Sequence, residues 1–82
     1  MPRVVLYSKP NCPLCDEALE QIEIARTRAR FDFSEINILA DPELYERYKH
    51  LIPVVTVDGN EVARYRIRWE ELVMCLGRNP IN

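Results

Sequence analysis

The sequence predicts a small α/β domain with the element order βαβαββα, a central four-stranded mixed sheet and three flanking helices. Two kinds of segment carry this prediction. Short apolar or alternating runs are typical of strands, and they are interleaved with segments whose apolar residues recur at the three- and four-residue steps typical of helices. A length of 82 residues suits one domain, so residues 1–82 are expected to form a single domain.

A short loop containing two cysteines separates the first strand from the first helix. Arg3–Ser8 is predicted to be a buried strand, because its centre is an apolar run that begins with two valines. Pro13 suits the first position of a helix, where the amide that proline lacks would have no partner. We therefore expect the helix to begin at Pro13, with Cys12 at or beside its N-cap.

The middle of the chain adds one strand and one helix. Residues 31–38 alternate apolar and polar side chains, which predicts a strand with one buried face. Asp41 and Pro42 supply an N-cap and a first-position proline for a helix that extends to about Lys49. The expected apolar stripe of this helix is Leu44, Tyr45 and Tyr48.

The last part of the chain predicts a hairpin and a final helix. Val54–Val57 and Glu61–Tyr65 are short strand-like runs, and the turn residues 58–60 between them make the two strands antiparallel. The final helix is expected to begin at about Arg68. Its apolar residues at core spacing are Trp69, Leu72, Val73 and Leu76.

Charge and composition argue against several classes of partner and location. Lys and Arg number 11 against 13 Asp and Glu, a net charge of −2 that favours neither nucleic acid nor a membrane surface. The first apolar run is too short for a secretion signal or a bilayer span. The 3 cysteines do not form the dense framework of a small secreted domain. We therefore expect a cytoplasmic protein, and we expect it to be a monomer.

Cys12 and Cys15 predict thiol–disulfide chemistry. Two thiols at this spacing at a helix start can close into a small disulfide ring and reopen, with the first thiol exposed and the second shielded. A thiolate is the attacking species, and a helix N-terminus or a nearby cation lowers the pKa of a cysteine. Cys12 is closer to the unpaired amides and has Lys9 upstream, so we expect Cys12 to be the nucleophile and Cys15 the resolving thiol.

The same cysteine spacing also occurs in metal sites and in proteins whose thiols have no redox role. A zinc site would need Cys75 and His50 as further ligands, whereas such sites usually hold two close pairs, so we predict no metal. Cys75 lies among apolar residues and is expected to be a small buried residue. The alternative functions are a protein-binding module whose thiols are idle or held by a metal, and metal or iron–sulfur binding through the cysteine pair.

Four features make the chain resemble the glutaredoxins, a family with the thioredoxin fold. They are the loop Lys9-Pro10-Asn11-Cys12-Pro13-Leu14-Cys15, the element order, Ile52-Pro53 before the third strand, and the turn Val57-Asp58-Gly59. The resemblance implies that Pro53 is cis and faces the dithiol. The backbone of Ile52 would then pair with an extended substrate segment. The expected substrate-binding residues are Lys9, Pro13, Leu14, Ile52 and Pro53.

The resemblance also implies the reaction partners. The substrate would be a disulfide-bearing protein or a glutathione mixed disulfide, and the reductant would be glutathione or a thioredoxin-reductase-type flavoprotein. We expect no tightly bound cofactor.

The chain departs from glutaredoxins where they hold the γ-glutamyl end of glutathione. Their Gly-Gly pair becomes Ala63-Arg64, the following acid becomes Ile67, and the aromatic residue between the cysteines becomes Leu14. Lys9 and Ile52-Pro53 are kept, so glutathione remains a candidate co-substrate with weaker recognition at its far end.

Overall fold

The predicted strands and helices occur in the predicted order in the computed structural model, which describes residues 1–77. The strands are β1 (Arg3–Ser8), β2 (Asp32–Asn37), β3 (Val54–Val57) and β4 (Asn60–Arg64). The helices are α1 (Pro13–Arg26), α2 (Pro42–Tyr48) and α3 (Trp69–Gly77). The end of the predicted single domain, residues 78–82, lies outside the described residues.

The four strands form one mixed sheet in the order β2-β1-β3-β4. Strand β1 is parallel to β2 and antiparallel to β3, and β3 is antiparallel to β4. Strand β1 is therefore hydrogen-bonded to a neighbouring strand on each side. The cysteine loop follows directly at its carboxyl end. This arrangement confirms the predicted thioredoxin fold.

The side chains of the central strands alternate between two apolar layers. Val4, Leu6 and Val55 point into a cluster that includes Ala18 and Ile22 of α1 and residues of α3. On the other face, residues of β1 and β3 pack with Tyr48 of α2 and with the cysteine loop. Helices thus cover both faces of the sheet, which is why its central strands are apolar throughout.

The first two helices begin as predicted. Cys12 is the N-cap of α1, and Asp41 is the N-cap of α2. The Asp41 carboxylate accepts a hydrogen bond from the N–H of Glu43 (2.9 Å), which satisfies one of the amides left unpaired at a helix start. None of the helices within residues 1–77 is long and apolar enough to cross a bilayer.

Strand β2 and helix α2 differ in detail from the prediction. Strand β2 ends at Asn37, because a 3₁₀ turn of residues 38–40 begins there and the Asn37 side chain accepts a hydrogen bond from the N–H of Leu39 (2.9 Å). Tyr45, which was expected in the apolar stripe of α2, is exposed. Leu44 and Tyr48 are four positions apart and share the helix face that covers the sheet, whereas Tyr45, one position after Leu44, points away from it.

The hairpin also differs in its boundaries. Its turn consists of Asp58 (φ 51°) and Gly59 (φ 85°), both left-handed, and Asn60 already belongs to β4. These positive φ angles match the turn to the twist of the strands. Strand β4 ends at Arg64, because the backbone of Tyr65 is left-handed (φ 67°) and cannot continue a strand.

Candidate redox site

Cys12 and Cys15 form a disulfide at the N-terminus of α1. Their Cα atoms are 5.2 Å apart, within the usual range for a disulfide. The N–H of Cys15 donates a hydrogen bond to the Sγ atom of Cys12 (3.2 Å), so Cys12 is a helix cap through its sulfur. The predicted pair is therefore in place to store and release two electrons.

The two cysteines differ in exposure, although less than expected. Cys12 is 9% exposed and Cys15 is 2% exposed. Cys12 is the more exposed of the two cysteines, as predicted. It is nevertheless mostly buried, whereas the prediction was an exposed first thiol. The reason is an apolar cluster that gathers around both cysteines, formed by Tyr7, Leu14, Ile38, Leu44, Tyr48, Leu51, Ile52 and Val54.

The Ile52-Pro53 peptide bond is cis, as the resemblance implies. Ile52 belongs to the same buried cluster as Cys12 and Cys15, so the segment does lie beside the disulfide. The N–H of Ile52 donates to the carbonyl oxygen of Tyr48 (3.1 Å) at the end of α2. Since a backbone has one N–H per residue, a substrate segment would meet the carbonyl oxygen of Ile52 unless this bond opens.

The three remaining predicted substrate contacts surround the cysteines in sequence. Lys9 and Pro13 are exposed, and Leu14 is half-buried against the cysteine cluster. Lys9 forms no ion pair with any other residue in the described part of the chain. Its charge therefore faces water close to the start of α1. The substrate-binding roles of these residues remain predictions.

Tyr65 is a further residue beside the site, and the sequence pattern assigned it only to the end of a strand. Its N–H donates to the carbonyl oxygen of Pro53 (2.7 Å), and its phenol donates to the carbonyl oxygen of His50 (3.1 Å). Tyr65 thus ties the segment after β4 to the loop that carries Ile52. A left-handed backbone is unusual for an aromatic residue, so no sequence signal indicates this arrangement.

A groove of about 700 Å³ extends from Leu14 along α1, between that helix and residues 65–71. Two contacts cross it. Arg66 forms an ion pair with Glu17 of α1 (3.4 Å), and the N–H of Trp69 donates to the side chain of Gln21 (2.9 Å). The groove is lined by Leu14, one of the two residues between the cysteines, so it adjoins the disulfide site on the surface.

The residues that replace the glutathione-binding positions of glutaredoxins are engaged elsewhere. Ala63 pairs with Val55 in the sheet, and Ile67 is buried in the core. Arg64 donates to the carboxylate of Glu61, and this hydrogen bond and the charge of Glu61 raise the pKa of Arg64. None of these three positions presents the glycine backbone or the carboxylate that glutaredoxins use.

The residues considered for a metal site do not come together as a cluster. Within residues 1–77, no group of three or more His, Cys, Asp and Glu side chains is arranged to hold a metal ion. Cys75 is a free, half-buried thiol on α3, less buried than expected, and lines a smaller groove beside β4. The absence of a metal remains a prediction.

Comparison with known proteins places most of the described residues in one family. Residues 3–77 match the family model described as the glutaredoxin-like domain (DUF836). The X-ray structure of the structural genomics target XcR50 from X. campestris is 29% identical, with a TM-score of 0.76, and the match covers 94% of this chain and 99% of that chain.

Two more distant structures share the fold. Protein Ne2328 from Nitrosomonas europaea is 21% identical with a TM-score of 0.77, and the match covers 90% of this chain and 89% of that chain. Thioredoxin-2, a component of the malaria parasite protein secretion machinery, is 10% identical with a TM-score of 0.77, with coverage of 96% and 84%. The cysteine pair therefore lies in a thioredoxin-fold domain of glutaredoxin-like type.

Proposed function

Because the chain belongs to the glutaredoxin-like domain family, we propose that it is a dithiol thiol–disulfide oxidoreductase, an electron carrier that works through Cys12 and Cys15. The observation that carries this proposal is the disulfide at the N-terminus of α1, with Cys12 as the helix cap. Helix N-termini favour negative charge, so the same position stabilises the thiolate that forms when the disulfide is reduced.

The proposed cycle consists of two exchange steps. The Cys12 thiolate attacks one sulfur of a substrate disulfide, forms a mixed disulfide and expels one substrate thiolate. The Cys15 thiolate then attacks the Sγ atom of Cys12 and expels the second substrate thiolate. Two electrons pass to the substrate, whose thiolates take up protons, and the Cys12–Cys15 disulfide is regenerated.

The assignment of roles rests on exposure and on the helix start. Cys12 is the more exposed of the two residues, so we expect an incoming disulfide to reach it first. Cys15 lies within the first turn of α1, at 2% exposure, where the mixed disulfide at Cys12 is its neighbour. A resolving thiol needs this proximity more than it needs access to solvent.

The reductant that restores the dithiol is either glutathione or a thioredoxin-reductase-type flavoprotein. Two glutathione molecules would leave as glutathione disulfide, whereas the flavoprotein would pass on two electrons from NADPH. Ala63, Arg64 and Ile67 make contacts within the protein and offer no glutathione-binding groups of the glutaredoxin type. We therefore expect glutathione to be a poor reductant. A reversible dithiol of this kind suits the cytoplasm, where thiols are kept reduced.

Trapping of mixed disulfides tests the proposed reaction. We expect Cys15→Ser to accumulate a mixed disulfide at Cys12 when the reduced variant meets a model disulfide, because the second step is blocked. Cys12→Ser should form no such adduct, and Cys75→Ser should turn over normally. Equal adducts at Cys75, or none at Cys12, would contradict the proposal.

The rate of re-reduction tests the source of electrons. The oxidised protein is mixed with glutathione, or with thioredoxin reductase and NADPH, and free thiols are followed over time. Fast reduction by glutathione would make it a glutathione-dependent enzyme despite the changes at positions 63, 64 and 67. Reduction only by the flavoprotein would make it thioredoxin-like in use.

A further inference from the structure

The groove beside the disulfide carries an excess of acidic side chains. Its lining contains four glutamates and two arginines, which is a formal charge of −2. These charged residues are Glu17, Glu20, Glu70, Glu71, Arg66 and Arg68. Although the chain as a whole has almost balanced charge, the surface next to its cysteine pair does not.

Both arginines of the groove already have carboxylate partners. Arg66 pairs with Glu17 (3.4 Å), and Arg68 pairs with Glu70 (3.4 Å). Glu20 and Glu71 form no ion pair with any residue between 1 and 77. The unbalanced charge of the groove is therefore negative, and it resides on Glu20 and Glu71.

From these charges we propose that the groove binds a cationic segment of a protein substrate, next to the disulfide that the substrate presents to Cys12. This inference rests on the proposed function. Leu14 lies between the cysteines and also lines the groove, so a chain joined to Cys12 would pass over Leu14 to reach the acidic surface. Lys or Arg side chains in that chain would lie close to Glu20 and Glu71.

The remainder of the groove also suits lysine and arginine side chains. Apolar side chains of Ile24, Ile67 and Trp69 line it, and the alkyl stems of basic residues pack well on such surfaces. The guanidinium of Arg28 already lies over the Trp69 ring, 4.7 Å from its centroid, which shows that this ring accepts a basic side chain. The Glu17–Arg66 pair is exposed, and exposed pairs are weak, so a substrate cation can replace Arg66 beside Glu17. An anionic ligand, glutathione included, would instead be repelled by the carboxylates of Glu20 and Glu71.

The experiment compares three synthetic peptides that share one disulfide and differ only in the flanking residues, which are lysines, glutamates or serines. Reduced protein is mixed with each peptide, and the rate of peptide reduction is measured at low ionic strength. We expect the lysine peptide to react about tenfold faster than the glutamate peptide, because a charged cleft raises association rates by this order. The ratio should approach one in about 1 M salt, where charges are screened within about 3 Å.

The double variant Glu20→Gln/Glu71→Gln locates the effect. Glutamine keeps an oxygen that can accept the hydrogen bond now made from the N–H of Arg68 to Glu71 (3.1 Å). We expect this variant to lose most of the preference for the lysine peptide. The control Glu23→Gln/Glu43→Gln makes the same change in net charge outside the groove, and it should keep the preference.

The outcomes separate this inference from the proposed function. Equal rates for the three peptides, a preference for the glutamate peptide, or the same loss in both double variants would overturn the cationic groove while leaving the oxidoreductase in place. Failure to reduce even the serine peptide would overturn both.

Discussion

The phenol of Tyr65 donates a hydrogen bond to the carbonyl oxygen of His50 (3.1 Å), and its backbone N–H donates to the carbonyl oxygen of Pro53 (2.7 Å). One residue therefore holds both ends of the loop that contains Ile52. This loop lies in the cluster around the cysteines. The position of the Ile52 backbone, which is expected to pair with substrate, therefore depends on contacts from Tyr65, the residue that follows the second strand of the hairpin.

Replacing Tyr65 with phenylalanine removes the phenol bond and keeps the ring. We expect the free energy of unfolding to fall by about 1 kcal/mol or less, since the bond is exposed to water. Urea denaturation measures this change, and the rate of reduction of a peptide disulfide reports any effect on the site. Tyr45→Phe on α2 is the matched control, and a loss as large there would mean that the His50 contact is not the cause.

The hairpin turn depends on Gly59. Its φ of 85° is unfavourable for any residue with a Cβ atom, although no neighbour lies within 4 Å of the place where that atom would be. We expect Gly59→Ala to lower the free energy of unfolding by about 1 kcal/mol or more, from backbone strain alone. Gly77→Ala also meets open space but has no positive φ, so it should not be destabilising. Equal losses in the two variants would refute the backbone explanation.

Leu72 of α3 is completely buried between the helix and the sheet. Truncation to alanine would leave a cavity in the core, and we expect a loss of about 2–5 kcal/mol. Leu39→Ala is the same chemical change at a residue that is 54% exposed, and it should cost less than about 0.5 kcal/mol. Thermal or urea unfolding of both variants checks the difference.

The disulfide is expected to stabilise the protein modestly. A cross-link between residues separated by 3 positions closes a very short loop, for which the chain-entropy estimate is about 2 kcal/mol. Unfolding in urea with and without a reductant measures this difference. The Cys12→Ser/Cys15→Ser variant should not respond to the reductant. A reduced form more stable than the oxidised form would mean that favourable thiolate contacts outweigh the loss of the cross-link.

The pKa of Cys12 in the reduced protein should lie below that of a cysteine in a peptide, because its sulfur occupies the N-cap of α1. The pH dependence of alkylation by iodoacetamide, measured in Cys15→Ser/Cys75→Ser, reports this pKa. Lys9→Gln should raise it by removing a nearby cation. Lys49→Gln, whose lysine is already paired with Glu46, should leave it unchanged.

The local elements of the fold could be predicted from the sequence because short-range physics decides them. Strand β1, the start of α1 at Pro13 and the N-cap at Cys12 all agree with the prediction. Proline at a helix start, polar caps and a Gly-containing turn act on their immediate neighbours, so their effect is visible in a few consecutive residues.

Only part of the candidate site could be predicted from such local features of the sequence. That two cysteines share a helix start could be predicted, since their spacing and Pro13 are local features of the sequence. The burial of Cys12, the hydrogen bond from the Ile52 N–H to Tyr48 and the acidic groove depend on the folded arrangement of distant segments. The ion pair across that groove joins residues 49 positions apart, and only the packing of the folded chain brings such residues together.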